Sequence, residues 1–313
     1  FGWLVTLIRD GQLGGESMFW AQQSVSTLIN PPFALSLVLL LSGLILLLKK
    51  KNLLLPILCF GVLVQIKAYA GILALGALLI AGSYNLWKRK DWELLKVFLG
   101  SLTISILLFL PFNKNFGSLV FFKSFWFLET MMGLTDRLGW LRFHSAMTNY
   151  RLGNIWAKAV PAYLVAFAIF WVGNMGTRII FLFRKIKEIT GIDIFIYSII
   201  IAGILIPMFF LQAGTPWNTI QFFYYSLFFS GILGGVALVE ILSKTKTKLA
   251  RTVFVAGIIL LTVPTTLGTL AHYLPARPPA KISSEELAAL SFLAKEPQGV
   301  ILTYPFDRFK AKE

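Results

Sequence analysis

Cysteine is almost absent: Cys59 is the only one in 313 residues, and it lies inside an apolar run. Neither an intrachain disulfide framework nor a Cys-based metal site can be built from it. Histidine is nearly as scarce, since His144 and His272 alone are too few for a His-rich metal site. Acidic residues number 14 against 29 lysines and arginines, and all charged residues together make only 14% of the chain. With 57% hydrophobic residues and a mean hydropathy of +0.76, the chain is far more apolar than a soluble domain can hide in one core. The net charge of +15 does not imply a nucleic-acid partner, because the lysines sit in short clusters between apolar runs and read as topology signals. A starting methionine and a basic leader are also missing, so the chain reads as a fragment of a longer protein, cut at both ends.

What the chain does have is long apolar runs. Pro31 to Leu48, Leu94 to Pro111, Ala159 to Phe183, Asp193 to Leu211, Gln221 to Leu242 and Arg251 to Leu270 each approach the ~20 residues that cross a ~30 Å hydrocarbon core. The run from Leu53 to Trp87 is longer than one crossing needs and contains Lys67. Lys49, Lys50 and Lys51 precede it and Lys88, Arg89 and Lys90 follow it, so the positive-inside rule requires an even number of crossings. The expectation is a short helix, a turn near Gln65 to Lys67, and a full helix from Ala68. Arg184, Lys185 and Lys187, then Lys244, Lys246, Lys248 and Arg251, continue the same orientation two crossings apart.

The expected fold class is therefore an all-α polytopic membrane protein of about eight transmembrane helices, with outer interfacial helices and the start of a soluble α/β tail. Residues 1–30 form an outer juxtamembrane segment, 31–111 transmembrane helices 1–4, and 112–158 an outer loop. Residues 159–270 form helices 5–8, and 271–313 begin an outer soluble domain. Trp156, Trp217, Tyr224 and Tyr225 fall near outer interfaces, and Trp87 and Trp92 near an inner one. Gly231 and Gly235 form a G-x-x-x-G pair, read as internal helix packing.

Phe112 to Lys158 is too long for a turn and too apolar for a flexible loop, and reads as helices lying on the membrane. Leu134, Leu138 and Leu141 recur at helical spacing there and predict an amphipathic helix bordering a lateral entrance for a lipid substrate. In the tail, Ser283 followed by Glu286 marks a helix start, Glu296 to Gly299 a turn, and Val300 to Tyr304 a short strand.

The Lys-Ala-Tyr-Ala-Gly run at Lys67 to Gly71 and the tail SSEELAALSFLAKEPQGVILTYP, set in this layout, resemble the GT-C fold membrane glycosyltransferases. The resemblance implies sugar transfer from a polyprenyl-phosphate donor on the outer face of the cell membrane, with membrane lipid and that lipid-linked sugar as partners. It also implies a carboxylate that acts as base or holds a divalent metal ion. The family's paired acidic motif has no match here and is expected in upstream sequence or absent from a non-catalytic relative. Asp10, Glu16, Glu129 and Asp136 are the outer carboxylates available for a catalytic role; none is assigned as a metal ligand. Lys67, an ammonium inside an apolar stretch, and Arg137, Arg142 and Arg151 are the candidates for lipid phosphate. Against each stands an ordinary role: interfacial snorkelling for Lys67, and a solvated or ion-paired surface for the others. Gln212, Trp217 and Asn218 are the candidate walls of a sugar pocket. A transporter or flippase of a lipid-linked substrate, or a membrane assembly protein without chemistry, are the alternatives.

Overall fold

A computed structural model describes residues 1–49, 52–111, 120–274 and 282–299, excepting the side chain of His272. Lys50, Lys51, the first part of the outer loop and the Val300 to Tyr304 strand lie outside the described residues. The chain forms α1 (Gly2–Asp10), a 3₁₀ turn at Glu16–Phe19, α2 (Gln23–Ile29), α3 (Pro31–Lys49), α4 (Leu54–Gly61), α5 (Leu63–Ile66), α6 (Ala68–Arg89) and α7 (Glu93–Phe109). There follow β1 (Val120–Phe122), α8 (Trp126–Gly133), α9 (Leu141–Leu152), α10 (Trp156–Met175) and a 3₁₀ segment at Gly176–Phe183. The remaining elements are α11 (Gly191–Phe209), β2 (Phe210–Gln212), a 3₁₀ turn at Pro216–Ile220, α12 (Gln221–Lys244), α13 (Lys248–Tyr273) and α14 (Ser284–Leu293).

This is an all-α polytopic membrane protein. Among the described residues, six helical segments are long and apolar enough to cross a bilayer: Pro31–Lys49, Ala68–Arg89, Trp156–Phe183, Gly191–Phe209, Pro216–Lys244 and Lys248–Ala271. The expected eight crossings become six full-length ones and two shorter apolar pieces, Leu54–Ile66 and the 17-residue α7. At 1.5 Å per residue, α7 reaches about 25 Å, short of the hydrocarbon thickness without local thinning. The core is where large aromatic side chains from distant elements interlock: Phe33 meets Tyr224 and Tyr225, Phe60 meets Phe195, and Phe170 stacks on Phe223.

The basic clusters around Arg89, Arg184 and Lys244 converge on one end of the bundle. Arg89 donates to the Ile189 carbonyl at 3.2 Å, the Lys185 amide donates to Glu240 at 3.0 Å, and Arg184 pairs with Asp193 at 2.7 Å. At the opposite end β1 and β2 form a short antiparallel ribbon, Val120 facing Gln212 and Phe122 facing Phe210. We refer to these as the basic end and the ribbon end.

Two expectations are corrected. Leu134 and Leu138 do not belong to a helix: Leu134 is extended, the chain turns through Thr135 to Leu138, and α9 begins only at Leu141. Gly139, with φ +64°, and the close of α8 at Gly133 supply the break that the leucine spacing concealed. Residues 1–30, expected as an outer juxtamembrane segment, pack against α10. The Ala21 amide donates to Asn174 Oδ1 at 3.2 Å, and Asn174 Nδ2 donates to the Phe19 carbonyl at 2.6 Å. The G-x-x-x-G register also shifts: a side chain on Gly231 or Gly234 would meet Arg178, whereas one on Gly235 would meet open space.

Residues Ala271–Glu313 form a second unit. In it Ser283 Oγ accepts from the Glu286 amide at 3.0 Å and starts α14 where the sequence places a capping residue.

Candidate functional site

Lys67 is the residue at which a span breaks. It sits between α5 and α6 in an extended conformation (φ −153°, ψ 102°), so its side chain emerges where the helical ladder is interrupted. Its ammonium has no acidic partner among the described residues and lies 5.3 Å from the centre of the Tyr69 ring. Tyr69 in turn donates to Gln212 Oε1 at 2.6 Å and stands edge-on to Phe222. Two groups assigned to separate roles from the sequence, Lys67 for phosphate and Gln212 for sugar, are thus joined through Tyr69 at the ribbon end. Asn218 is engaged by Gln221 one turn on: Gln221 Nε2 donates to Asn218 Oδ1 at 3.4 Å, while Gln221 Oε1 is buried without a partner. Trp217 is 52% exposed, which suits an interfacial anchor better than a pocket wall.

Glu129 shares a polar cluster with Arg151 and Tyr163. Arg151 Nη1 and the Tyr163 hydroxyl both reach its Oε1 at 2.5 Å, and the Arg151 guanidinium lies 6.0 Å from the Tyr163 ring centre. The side chain is only 13% exposed, and Oε2 takes no hydrogen bond among the described residues. Tyr163 packs on Phe125, whose amide donates to the Met208 carbonyl at 2.6 Å, so this cluster is tied to the same end of α11 that leads into β2.

The other assigned residues separate. Asp10 is held by Arg9, whose hydrogen bond keeps the Asp10 carboxyl below its ordinary value, and both are exposed. Asp136 pairs with Arg137 and is 69% exposed. Arg137 packs against residues of the first thirty. Its guanidinium lies 4.4 Å from the centre of the Trp20 ring and donates to Ser17 Oγ at 3.2 Å, because a flat cation is stabilised on an aromatic face. Arg142 is exposed and has no ion-pair partner among the described residues. No three His, Cys, Asp or Glu side chains converge among the described residues.

Glu16 turns inward. Its Oε1 accepts from the Ser24 amide at 2.5 Å and its Oε2 from the Val25 amide at 3.3 Å, so a carboxylate closes the exposed amides that begin α2. It faces a cavity of about 70 Å³ shared with Gln23, Asn174, Thr177 and Arg178. Arg178 Nη2 donates to Gln23 Oε1 at 2.9 Å. This centre was not legible in the sequence, because Arg178 sits within a run assigned to a span. The one local signal is Gly176, whose φ of +53° with ψ of −133° is open to glycine alone and converts α10 into the 3₁₀ segment.

Burial pushes the Glu16 carboxyl above its ordinary value of 4.5, against the opposing pull of the two amides and Arg178. A raised folded-state value means that the folded protein holds the proton more tightly than the unfolded chain. This stability is complete below about pH 4.5 and is lost as pH rises through the raised value. Glu16→Gln, compared with wild type by thermal unfolding in detergent from mild acid to neutrality, is expected to remove that part of the pH slope. Parallel slopes for the two proteins would show that Glu16 keeps an ordinary carboxyl in the fold.

No protein-family model matches the chain, and no similar protein was found among curated proteins or solved structures. The fold and these three clusters therefore define the protein at the level of class: a multi-pass helical membrane protein with polar side chains gathered between its helices.

Proposed function

We propose that the protein acts on a polyprenyl-phosphate-linked sugar at the outer face of the cell membrane, as a GT-C-type glycosyltransferase does. The observation that carries this reading is Lys67. An ammonium at a helix break, without an acidic partner among the described residues and beside Tyr69 and Gln212, is costly at membrane depth unless it meets an anion or water. A lipid phosphate supplies such an anion, and the neighbouring amide and phenol are groups that bind sugar hydroxyls. The positive-inside rule sets the basic end in the cytoplasm and therefore the ribbon end, with Lys67 and Glu129, on the outer side. Glu129, with Oε2 open, is the group we assign as base toward the acceptor hydroxyl.

The full-length protein in detergent, offered radiolabelled polyprenyl-phosphate sugars, tests this. Transfer by wild type is expected to fall about 10²-fold in Lys67→Ala, the scale of losing one charged contact to a leaving oxygen, with partial recovery in Lys67→Arg. Glu129→Gln is expected to lose transfer while still binding donor. No transfer from any donor would sink the enzymatic reading, and undiminished transfer by Lys67→Ala would sink the site.

One observation favours a second reading, a transporter or flippase of a lipid-linked substrate. The span Trp156–Phe183 is broken at Gly176 beside Arg178 and Glu16, and interrupted helices with ionisable neighbours are what substrate pathways through membranes use. Movement of the labelled lipid across a proteoliposome bilayer, without transfer of its sugar, would select this reading.

A further inference from the structure

The basic end carries more than a topology signal. Between the segment that follows Phe183 and the last turns of α12 lies an open cavity of about 720 Å³, lined by Arg184, Lys185, Lys187, Glu188, Glu240 and Lys244 among others. Its charges are unequally committed. Arg184 is bound to Asp193 at 2.7 Å, though its Nη1 is left without a partner, and Glu240 accepts from the Lys185 amide. The ammonium groups of Lys185, Lys187 and Lys244 are exposed and make no ion pair among the described residues. Four cationic and two anionic side chains line the cavity, which leaves it net positive.

The cavity opens beside an apolar face. Leu182 and Phe183, immediately before Arg184, are 57% and 68% exposed, and Val236 and Val239, on the turn of α12 before Glu240, are 46% and 67% exposed. The 3₁₀ segment Gly176–Phe183 packs along α12, and Phe183 and Val239 each immediately precede a residue that lines the cavity, Arg184 and Glu240. A ligand fitting both parts has an anionic head, sized for several hundred cubic ångströms, joined to hydrocarbon chains.

We infer that this cavity binds the headgroup of an acidic phospholipid, with the lysines on its phosphate and the acyl chains along Phe183, Val236 and Val239. Basic recesses between helices at a membrane surface hold anionic lipid because each ammonium there gains attraction that bulk salt screens only beyond a Debye length. The three lysines surround the opening from two elements, Lys185 and Lys187 from the connecting segment and Lys244 from the end of α12, so a bound phosphate joins the two. Neither the sugar-transfer reading nor the transport reading is needed for this site.

The test uses the full-length protein in nanodiscs and in detergent. Native mass spectrometry and thermal unfolding would be followed with phosphatidylglycerol, with phosphatidylcholine, and with inorganic phosphate alone. Wild type is expected to retain phosphatidylglycerol and to unfold at higher temperature with it than with phosphatidylcholine. The triple variant Lys185→Gln, Lys187→Gln, Lys244→Gln is expected to lose about tenfold or more in apparent affinity for the acidic lipid. A control at the same end, Lys88→Gln with Lys90→Gln, is expected to bind as wild type does, and inorganic phosphate is expected to give no shift. Equal retention of both lipids, undiminished retention by the triple variant, or an equal loss in the control would overturn the site. Saturation by inorganic phosphate would overturn the lipid as its occupant.

Discussion

Replacing Asp193 by alanine is expected to destabilise the bundle by about 3–4 kcal/mol, because it strands a cation and removes the reciprocal half of a spanning helix's capping box at once. Asp193 is 7% exposed and meets Arg184 through Oδ1 at 2.7 Å, while Oδ2 accepts from the amide and hydroxyl of Thr190 at 3.0 and 2.6 Å. Thr190 Oγ1 accepts in return from the Asp193 amide at 3.1 Å, closing a capping box at the start of α11. Arg184 already has one nitrogen without a partner and lies too deep, at 20% exposure, to recover its hydration cheaply. Asp193→Asn keeps an acceptor for Thr190 but not the charge, and is expected to lose roughly half as much. Thermal unfolding in detergent measures both. A loss under about 1 kcal/mol in the alanine variant would mean that Arg184 finds another anion, as it would if exposed.

Trp20→Ala is the second large effect, about 3–5 kcal/mol by the loss of a nearly buried aromatic. Trp20 is 8% exposed, lies 5.4 Å from both Trp126 and Phe127, carries Arg137 on its face, and donates from Nε1 to Thr130 Oγ1 at 3.1 Å. One side chain thereby holds the turn after Glu16–Phe19 against α8 and the loop that contains Arg137. Its backbone has φ of +82°, strained for a bulky residue by about 1–3 kcal/mol. This predicts an unusual order: Trp20→Gly should be less destabilising than Trp20→Ala, since glycine relieves the strain that alanine retains. Where φ is negative, glycine would be the worse replacement. The reverse order in unfolding experiments would show that the positive φ costs nothing in the folded protein.

The spans were legible because a bilayer reads a chain by local hydrophobicity. Pro31 to Leu48 and Asp193 to Leu211 match α3 and α11 to within about two residues, the usual disagreement at helix ends. The turn expected near Gln65 to Lys67 coincides with the break at Lys67, since an ammonium in an apolar run cannot remain in an uninterrupted lipid-facing helix without cost. Leucine spacing misled at Leu134 to Leu141, where a three-to-four-residue repeat of apolar residues proved compatible with a turn as well as with a helix.

The candidate centres were less legible. Lys67 and Glu129 were visible as charges out of place, but their partners were not: Gln212 meets Tyr69 across 143 positions, and Tyr163 meets Glu129 across 34. Arg178, Gln23 and Glu16 are joined only by the packing of residues 1–30 against the broken span. The sequence by itself determined that the chain is a membrane-spanning bundle and which segments are apolar, because transfer into lipid depends on each stretch of chain alone. Tertiary structure decided which polar side chains converge, which of them are merely ion-paired, and which face a cavity. Those outcomes depend on lateral contacts between helices, and no local property of either segment specifies them.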